Sequence, residues 1–264
     1  MTAESATFQT RTIGNVQVRI WVDGDGPPLL YMHGFEHHPG GASFLRRLAQ
    51  GRRVYAPEHP GYGESTGMES MDGMLDVVLY YRELVASLGL DAVDVVGHSL
   101  GGMIGAEFAA ICPQLVRRLV LVDAFGLWIE DDQLPDLFVL TPEELQRAKW
   151  HDPAAAPDPE PSTIRTDPQD PNVAILARME NLAAATKLMW PIPDRGLRKR
   201  LHLIQAPTLV LHGESDGLIP VAYADEFARL IPNARAVRIA GAGHLPMLER
   251  EDEFLSQVEA FLGN

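Results

Sequence analysis

A serine with a glycine two residues away on each side, Gly97-His98-Ser99-Leu100-Gly101, is the stretch whose spacing most directly implies chemistry. It lies between an apolar run, Val93–Val96, and a helical pattern over Leu100–Ile111, so it reads as strand, sharp turn, helix. A serine at the tip of such a turn takes a strained backbone that lifts its hydroxyl clear of the sheet, and the glycines remove side chains that would collide there. Leu100 opens the helix, so its N–H and the helix dipole both favour negative charge forming on a bound carbonyl oxygen. Outside the strand-to-helix context the same five residues would be an ordinary Gly-Ser loop. Within it they predict a nucleophile for acyl transfer.

Such a turn needs a sheet to carry it. Apolar runs suited to strands occur at Leu29–Met32, Arg53–Ala56, Val93–Val96, Leu119–Val122, Thr208–Leu211 and Ala236–Ile239. Helical patterns at Ala42–Gln50, Met71–Leu88, Leu100–Ile111, Val221–Leu230 and Asp252–Leu262 alternate with them. Short, almost wholly apolar strands between amphipathic helices predict an α/β fold, a mostly parallel sheet covered on both faces. Ahead of it, Thr7–Ile13 and Val16–Val22 meet at Gly14-Asn15, a pair suited to a tight turn, and predict an antiparallel N-terminal hairpin.

The alternation stops between Phe125 and Arg195, where helical stretches near Pro142–Lys149 and Asn172–Met189 are joined without a convincing strand. This predicts an inserted helical cap over residues 125–195, with the core domain formed by residues 1–124 and 196–264. Inside the insertion, Asp152–Pro171 carries six prolines and several acids. Such a composition buries too little apolar surface to hold one conformation by itself, so this stretch is expected to be the most mobile and to gate access.

The nucleophile turn, the alternating elements and the order of the motifs along the chain resemble the α/β-hydrolase family from about residue 16 to 262. The resemblance implies an α/β-hydrolase fold and a Ser-His-Asp triad. His244, in Gly243-His244-Leu245 after the last strand, stands where the family keeps its general base, and its glycine-flanked loop could bring an imidazole to Ser99. Asp216, after Thr208–Leu211 and 28 residues before His244, takes the place of the acid that fixes the imidazole tautomer. Asp123, at the end of Leu119–Val122, occupies a position where some relatives carry that acid, and Glu214 is a weaker alternative. His33-Gly34-Phe35 resembles the family's oxyanion loop, which makes the Phe35 N–H the second donor beside that of Leu100. Here Glu36-His37-His38 replaces the usual small residues or proline. Three histidines and an acid within six residues raise the question of a metal, but adjacent histidines on a short loop rarely converge on one ion, and no metal or cofactor is expected. His98 is expected to pack or bond locally.

Composition narrows the partners. With 36 acidic and 22 basic side chains the formal charge is −14, which opposes binding to phosphate backbones, so no nucleic-acid partner is expected. No apolar run approaches the roughly 18 residues of a membrane span. Met1–Thr12 lacks the basic start and apolar stretch of a secretory signal, so no membrane partner and a cytoplasmic location are expected. The single cysteine, Cys112, excludes an internal disulfide and is read as a small buried residue.

A serine nucleophile, in place of aspartate, favours attack on acyl carbon over halide displacement or epoxide opening. The expectation is a serine hydrolase of small, largely apolar carboxylic esters. Cleavage of a C–C bond in ring-cleavage products, implied by a partial resemblance of Pro39–Phe44 to the loop of carbon-carbon bond hydrolases, lactone hydrolysis, and a small-molecule receptor on the same fold remain alternatives. Trp128, Trp150 and Trp190 from the insertion, with Leu218, Ile219, Leu245 and Met247 beside the acid and base, are the expected pocket lining.

Overall fold

The computed structural model describes residues 7–191 and 193–263. The first half of the Met1–Thr12 stretch, and Ile192 and Asn264 of the two expected domains, lie outside the described residues. Eight strands form one sheet: β1 (Thr7–Ile13), β2 (Val16–Asp23), β3 (Pro28–Met32), β4 (Arg53–Pro57), β5 (Val93–His98), β6 (Val116–Val122), β7 (Thr208–Gly213) and β8 (Ala234–Ile239). Their spatial order is β1-β2-β4-β3-β5-β6-β7-β8. The hairpin β1–β2 is antiparallel and joins β4 antiparallel, while β3 to β8 run parallel.

The central strands are apolar on both sides because both faces are covered. Leu30, Met32, Val95, Leu119, Leu121 and Val210 pack on one face with helices α2 (Met74–Ser87), α3 (Leu100–Ile111) and α6 (Ala222–Leu230). Their neighbours Leu29, Tyr31, Val96, Val120, Val122, Leu209 and Leu211 point the other way, onto α1 (Ser43–Leu48), α7 (Pro246–Glu249) and α8 (Glu251–Leu262). This alternation along each strand follows the two-residue repeat of a pleated sheet. Cys112 is buried at the end of α3.

Between β6 and β7 the described chain forms no strand and contains α4 (Pro142–Lys149) and α5 (Asn172–Met189). Thr141 starts α4 with a reciprocal cap: its N–H donates to Glu144 Oε2 at 2.9 Å and its Oγ1 accepts from the Glu144 N–H at 3.3 Å. The stretch Asp152–Pro171 is not free-standing. Glu160 lies 2.7 Å from Lys149 Nζ and 3.1 Å from His37 Nε2, and Thr163 donates from its N–H to His38 O at 2.9 Å and from Oγ1 to Glu58 at 2.7 Å. Charges and hydrogen bonds thus anchor part of this stretch to the core. No helix among the described residues is long and apolar enough to cross a membrane.

Candidate active site

Strand β5 ends at His98, and Ser99 turns the chain into α3 with φ 58° and ψ −118°. Ser99 and Asp123 are the two non-glycine residues of positive φ among those described, a region in which a side chain is strained. The turn is tight enough to require its glycines: a Cβ on Gly97 would stand 2.4 Å from Gly101 O, and one on Gly101 2.1 Å from Met32 O. The Ser99 N–H donates to Val122 O on β6 at 2.9 Å, which ties the strained residue to the centre of the sheet.

Ser99, His244 and Asp216 come together from three separate loops. Ser99 Oγ lies 2.9 Å from His244 Nε2, and His244 Nδ1 lies 2.8 Å from Asp216 Oδ2. Because a carboxylate only accepts, the imidazole proton sits on Nδ1 and leaves Nε2 free to accept from the serine hydroxyl. The other oxygen of Asp216 accepts from the Leu218 and Ile219 N–H groups at 2.8 and 3.0 Å. Burial pushes the Asp216 carboxyl upward, but His244, His212 and the Ile219 N–H outweigh it and hold the group below the usual carboxylate range. Asp123 does not contact His244 through a hydrogen bond; its Oδ1 accepts from the Gly213 N–H at 2.9 Å. Glu214 is exposed.

The loop of His244 is fixed from several directions. Its N–H donates to Lys149 O at 2.7 Å, and its carbonyl accepts from His98 Nε2 at 2.8 Å. The bond made by His98 is therefore not local, since it spans 146 residues and braces the His244 loop against the Ser99 turn. Glu249 accepts from the Gly243 N–H at 2.6 Å and the His151 N–H at 2.8 Å.

On the oxyanion side, His33 O accepts from the Gly101 N–H at 2.9 Å, which seats the His33-Gly34-Phe35 loop on the start of α3. A Cβ on Gly34 would lie 3.3 Å from Ser99 Cβ. Among the described residues neither the Phe35 nor the Leu100 N–H is engaged by another group. The histidines of this region turn to separate partners. His33 donates from Nδ1 to Gly34 O and accepts at Nε2 from the His59 N–H, and His38 donates from Nε2 to Ala56 O and accepts at Nδ1 from the Gly40 N–H. His37 meets Glu160, and Glu36 meets Lys149.

Beside His244 is a cavity of about 30 Å³, room for about two waters. Tyr31, Phe35, Phe44, Leu245, Met247 and Leu248 give it apolar walls, and Glu160 and Pro161 also line it. Leu245 and Met247 are among its lining residues, and the other five residues expected to line a pocket are not. Trp150 is buried under the sheet, Trp128 donates to Glu130, and Trp190 is 44% exposed with its ring edge-on to Phe138. Leu218 and Ile219 are buried in the opposite core cluster, and their contribution to the site is the pair of N–H groups on Asp216. An aromatic residue signals burial without direction, so membership of the insertion does not bring the tryptophans to the cavity. Tyr31 and Phe44 escape sequence reasoning because they read as ordinary core, and Glu160 because it lies in a stretch that reads as mobile linker.

Comparison with known proteins agrees with this architecture. A sequence model of the alpha/beta hydrolase family matches residues 29–257. The chain is 29% identical over 257 residues to a pimeloyl-[acyl-carrier protein] methyl ester esterase of Xanthomonas oryzae pv. oryzae, covering 94% of this chain and 99% of that protein. It is 28% identical over 249 residues to Lipase 1 of Psychrobacter immobilis, covering 89% of this chain and 77% of that protein. Among solved structures, a membrane phospholipase A described as a bacterial virulence factor superposes with a TM-score of 0.82 at 25% identity, over 97% of this chain and 86% of that one. With a match over most of its length and this sheet order, the chain belongs to the alpha/beta hydrolase family.

Proposed function

We propose that the protein is a serine hydrolase that cleaves small, largely apolar carboxylic esters through an acyl-enzyme. The observation that carries this reading is the continuous line from Ser99 Oγ through His244 to Asp216, with links of 2.9 and 2.8 Å. In the reading, His244 Nε2 takes the proton of Ser99 as Oγ bonds to the ester carbon, and Asp216 stabilises the imidazolium that results. The carbonyl oxygen becomes an oxyanion facing the unengaged N–H groups of Phe35 and Leu100, at the positive end of α3. His244 then returns its proton to the departing alkoxide, and water, activated by the same base, releases the acid.

The cavity's apolar walls lie beside His244, with Ser99 outside the residues that line it. A space of about 30 Å³ is far below the few hundred Å³ of a typical ligand pocket, so its lining opens to admit substrate, a movement we assign to Glu160 and Pro161 on the inserted segment. The insertion over residues 125–195 therefore acts as a lid, with residues 160–161 as its inner edge. The similarity to a methyl ester esterase and a lipase supports ester chemistry in particular.

A panel of p-nitrophenyl esters of graded acyl length tests the proposal. Turnover favouring short acyl chains, lost in Ser99→Ala by about 10⁴-fold or more, is the expected result. No turnover of any ester, or turnover that survives Ser99→Ala, would contradict it.

A further inference from the structure

Three buried carboxylates of this protein sit against arginine. Glu58 accepts from Arg19 at 2.5 Å, Asp94 from Arg52 at 2.7 Å and Glu107 from Arg200 at 2.7 Å. Asp123 is buried as completely, with no exposed surface. Its Oδ1 accepts from the Gly213 N–H, while Oδ2 has no hydrogen-bond partner among the described residues. The basic group that faces it is His212, whose Nδ1 lies 3.5 Å from Oδ1. That ring donates from Nε2 to Ile219 O at 2.8 Å, and burial lowers its pKa, so the nitrogen turned towards Asp123 carries no proton. An oxygen of Asp123, an oxygen of Asp216 and a ring nitrogen of His244 lie within 4.8 Å of one another.

Two carboxylates this close in a dry site do not both ionise. Asp216 accepts from three donors, His244 Nδ1 and the Leu218 and Ile219 N–H groups, and Asp123 from one. The shared proton therefore belongs on Asp123. We propose that Asp123 is a neutral carboxylic acid whose Oδ2–H donates to the Asp216 carboxylate, making it a positioning residue for the acid that orients His244. The proposal rests on reading Ser99, His244 and Asp216 as the catalytic set. Burial and the neighbouring Asp216 charge both hold the Asp123 carboxyl well above the usual carboxylate range, in keeping with this placement. The bond withdraws charge from Asp216 and so lowers the basicity of His244. It also gives a use to the strained φ of 43°, which holds Asp123 at the end of β6 facing the β7 loop.

The titratable groups around Asp123 are His212 on β7, Asp216 on the following loop, and His244 and Glu249 beyond β8. The test compares the full-length protein with two variants. Asp123→Asn keeps the geometry, since its oxygen accepts from Gly213 and its amide donates to Asp216, whereas Asp123→Ala removes the donor. At pH 7 the infrared spectrum of the parent should show the carbonyl stretch of a protonated carboxylic acid that Asp123→Asn lacks. Asp123→Asn should keep kcat/KM with its acid limb unmoved, and Asp123→Ala should lose about 10- to 100-fold, the value of one charge-assisted hydrogen bond, with the limb shifted to higher pH. If Asp123 were ionised, the band would be absent and Asp123→Asn would move the limb to lower pH. If it only filled space, the limb would stay in place in both variants. Either result overturns the proposal. Should Asp123→Ala not fold, the infrared difference and the Asp123→Asn profile still decide. Loss of the triad reading itself shows as activity surviving Ser99→Ala, and the infrared band is independent of that.

Discussion

The backbone N–H of His244 donates to the carbonyl of Lys149 at 2.7 Å, so the loop of the proposed base hangs from the segment inserted between β6 and β7. One residue earlier, Ala148 O accepts from the Gly217 N–H at 2.9 Å, beside Asp216. The C-terminal end of α4 thus holds both the Asp216 and the His244 loops, while the chain beyond it lines the cavity. Scaffold and proposed lid meet at Lys149.

That side chain is 1% exposed and lies 2.7 Å from both Glu36 and Glu160. Removing it takes the partner from two half-buried carboxylates, so Lys149→Met should destabilise the fold by about 1–3 kcal/mol, less than for breaking a fully buried ion pair from one side. Adding Glu160→Gln should recover part of this loss, because one stranded charge is then gone. Chemical denaturation of the single and double variants measures both, and a double variant as unstable as the sum of the singles would contradict the coupling.

Shortening Asp152–Pro171 should alter the preference among acyl chain lengths. An acetate ester should be hydrolysed within about tenfold of the parent, because Ser99, His244, Asp216 and the α4 carbonyls lie outside the stretch. Steady-state kinetics on the ester panel checks this. Loss of acetate turnover as complete as in Ser99→Ala, in a folded protein, would make the stretch part of the chemistry.

Asp216→Asn should lower kcat on the order of 10⁴-fold, since an amide N–H facing the ring favours the imidazole tautomer with its proton on the wrong nitrogen. The measurement is kcat on the best ester of the panel. A larger loss in Asp123→Asn than in Asp216→Asn would transfer the acid's role to Asp123.

Stability should fall steeply below neutral pH. His33, His38, His59 and His98 are buried in neutral form, each donating one N–H to a carbonyl: Gly34 O, Ala56 O, His33 O and His244 O respectively. Desolvation by burial is the leading cause of their lowered pKa values, about 3 for His38 and His98, about 4 for His59, and well below the ordinary value for His33. Groups with depressed folded pKa contribute stability above the unfolded value of about 6.5 and lose it as pH falls towards the folded value. The raised pKa of Asp123 acts in the opposite sense, so near pH 5 the unfolded chain binds about three more protons and the slope approaches about 4 kcal/mol per pH unit. Denaturation midpoints at pH 7.5, 6 and 5 measure it, and a flat profile across that range would contradict the neutral histidine network.

The parts of this arrangement legible in the sequence are those fixed by short-range geometry. The Gly97-to-Gly101 spacing identifies the Ser99 turn because the glycines and the serine constrain one another locally. The strands show as apolar runs because both sheet faces are covered, although β6 begins three residues earlier than the run Leu119–Val122 because Arg117 and Arg118 interrupt it. Contacts between distant segments are not legible. Lys149 and Glu36 are 113 residues apart and look like surface charges, and nothing in the sequence marks them as partners. His98 likewise looks local, since its carbonyl partner at His244 lies on a loop that only the fold brings near.

Covalent labelling by a fluorophosphonate, read by mass spectrometry of the intact protein and its peptides, decides whether Ser99 is an activated nucleophile. One phosphonyl group per chain is expected, on Ser99, with labelling abolished in Ser99→Ala and strongly slowed when His244 is replaced by alanine. A chain that stays unlabelled, or a label on another serine that persists in Ser99→Ala, would contradict that assignment.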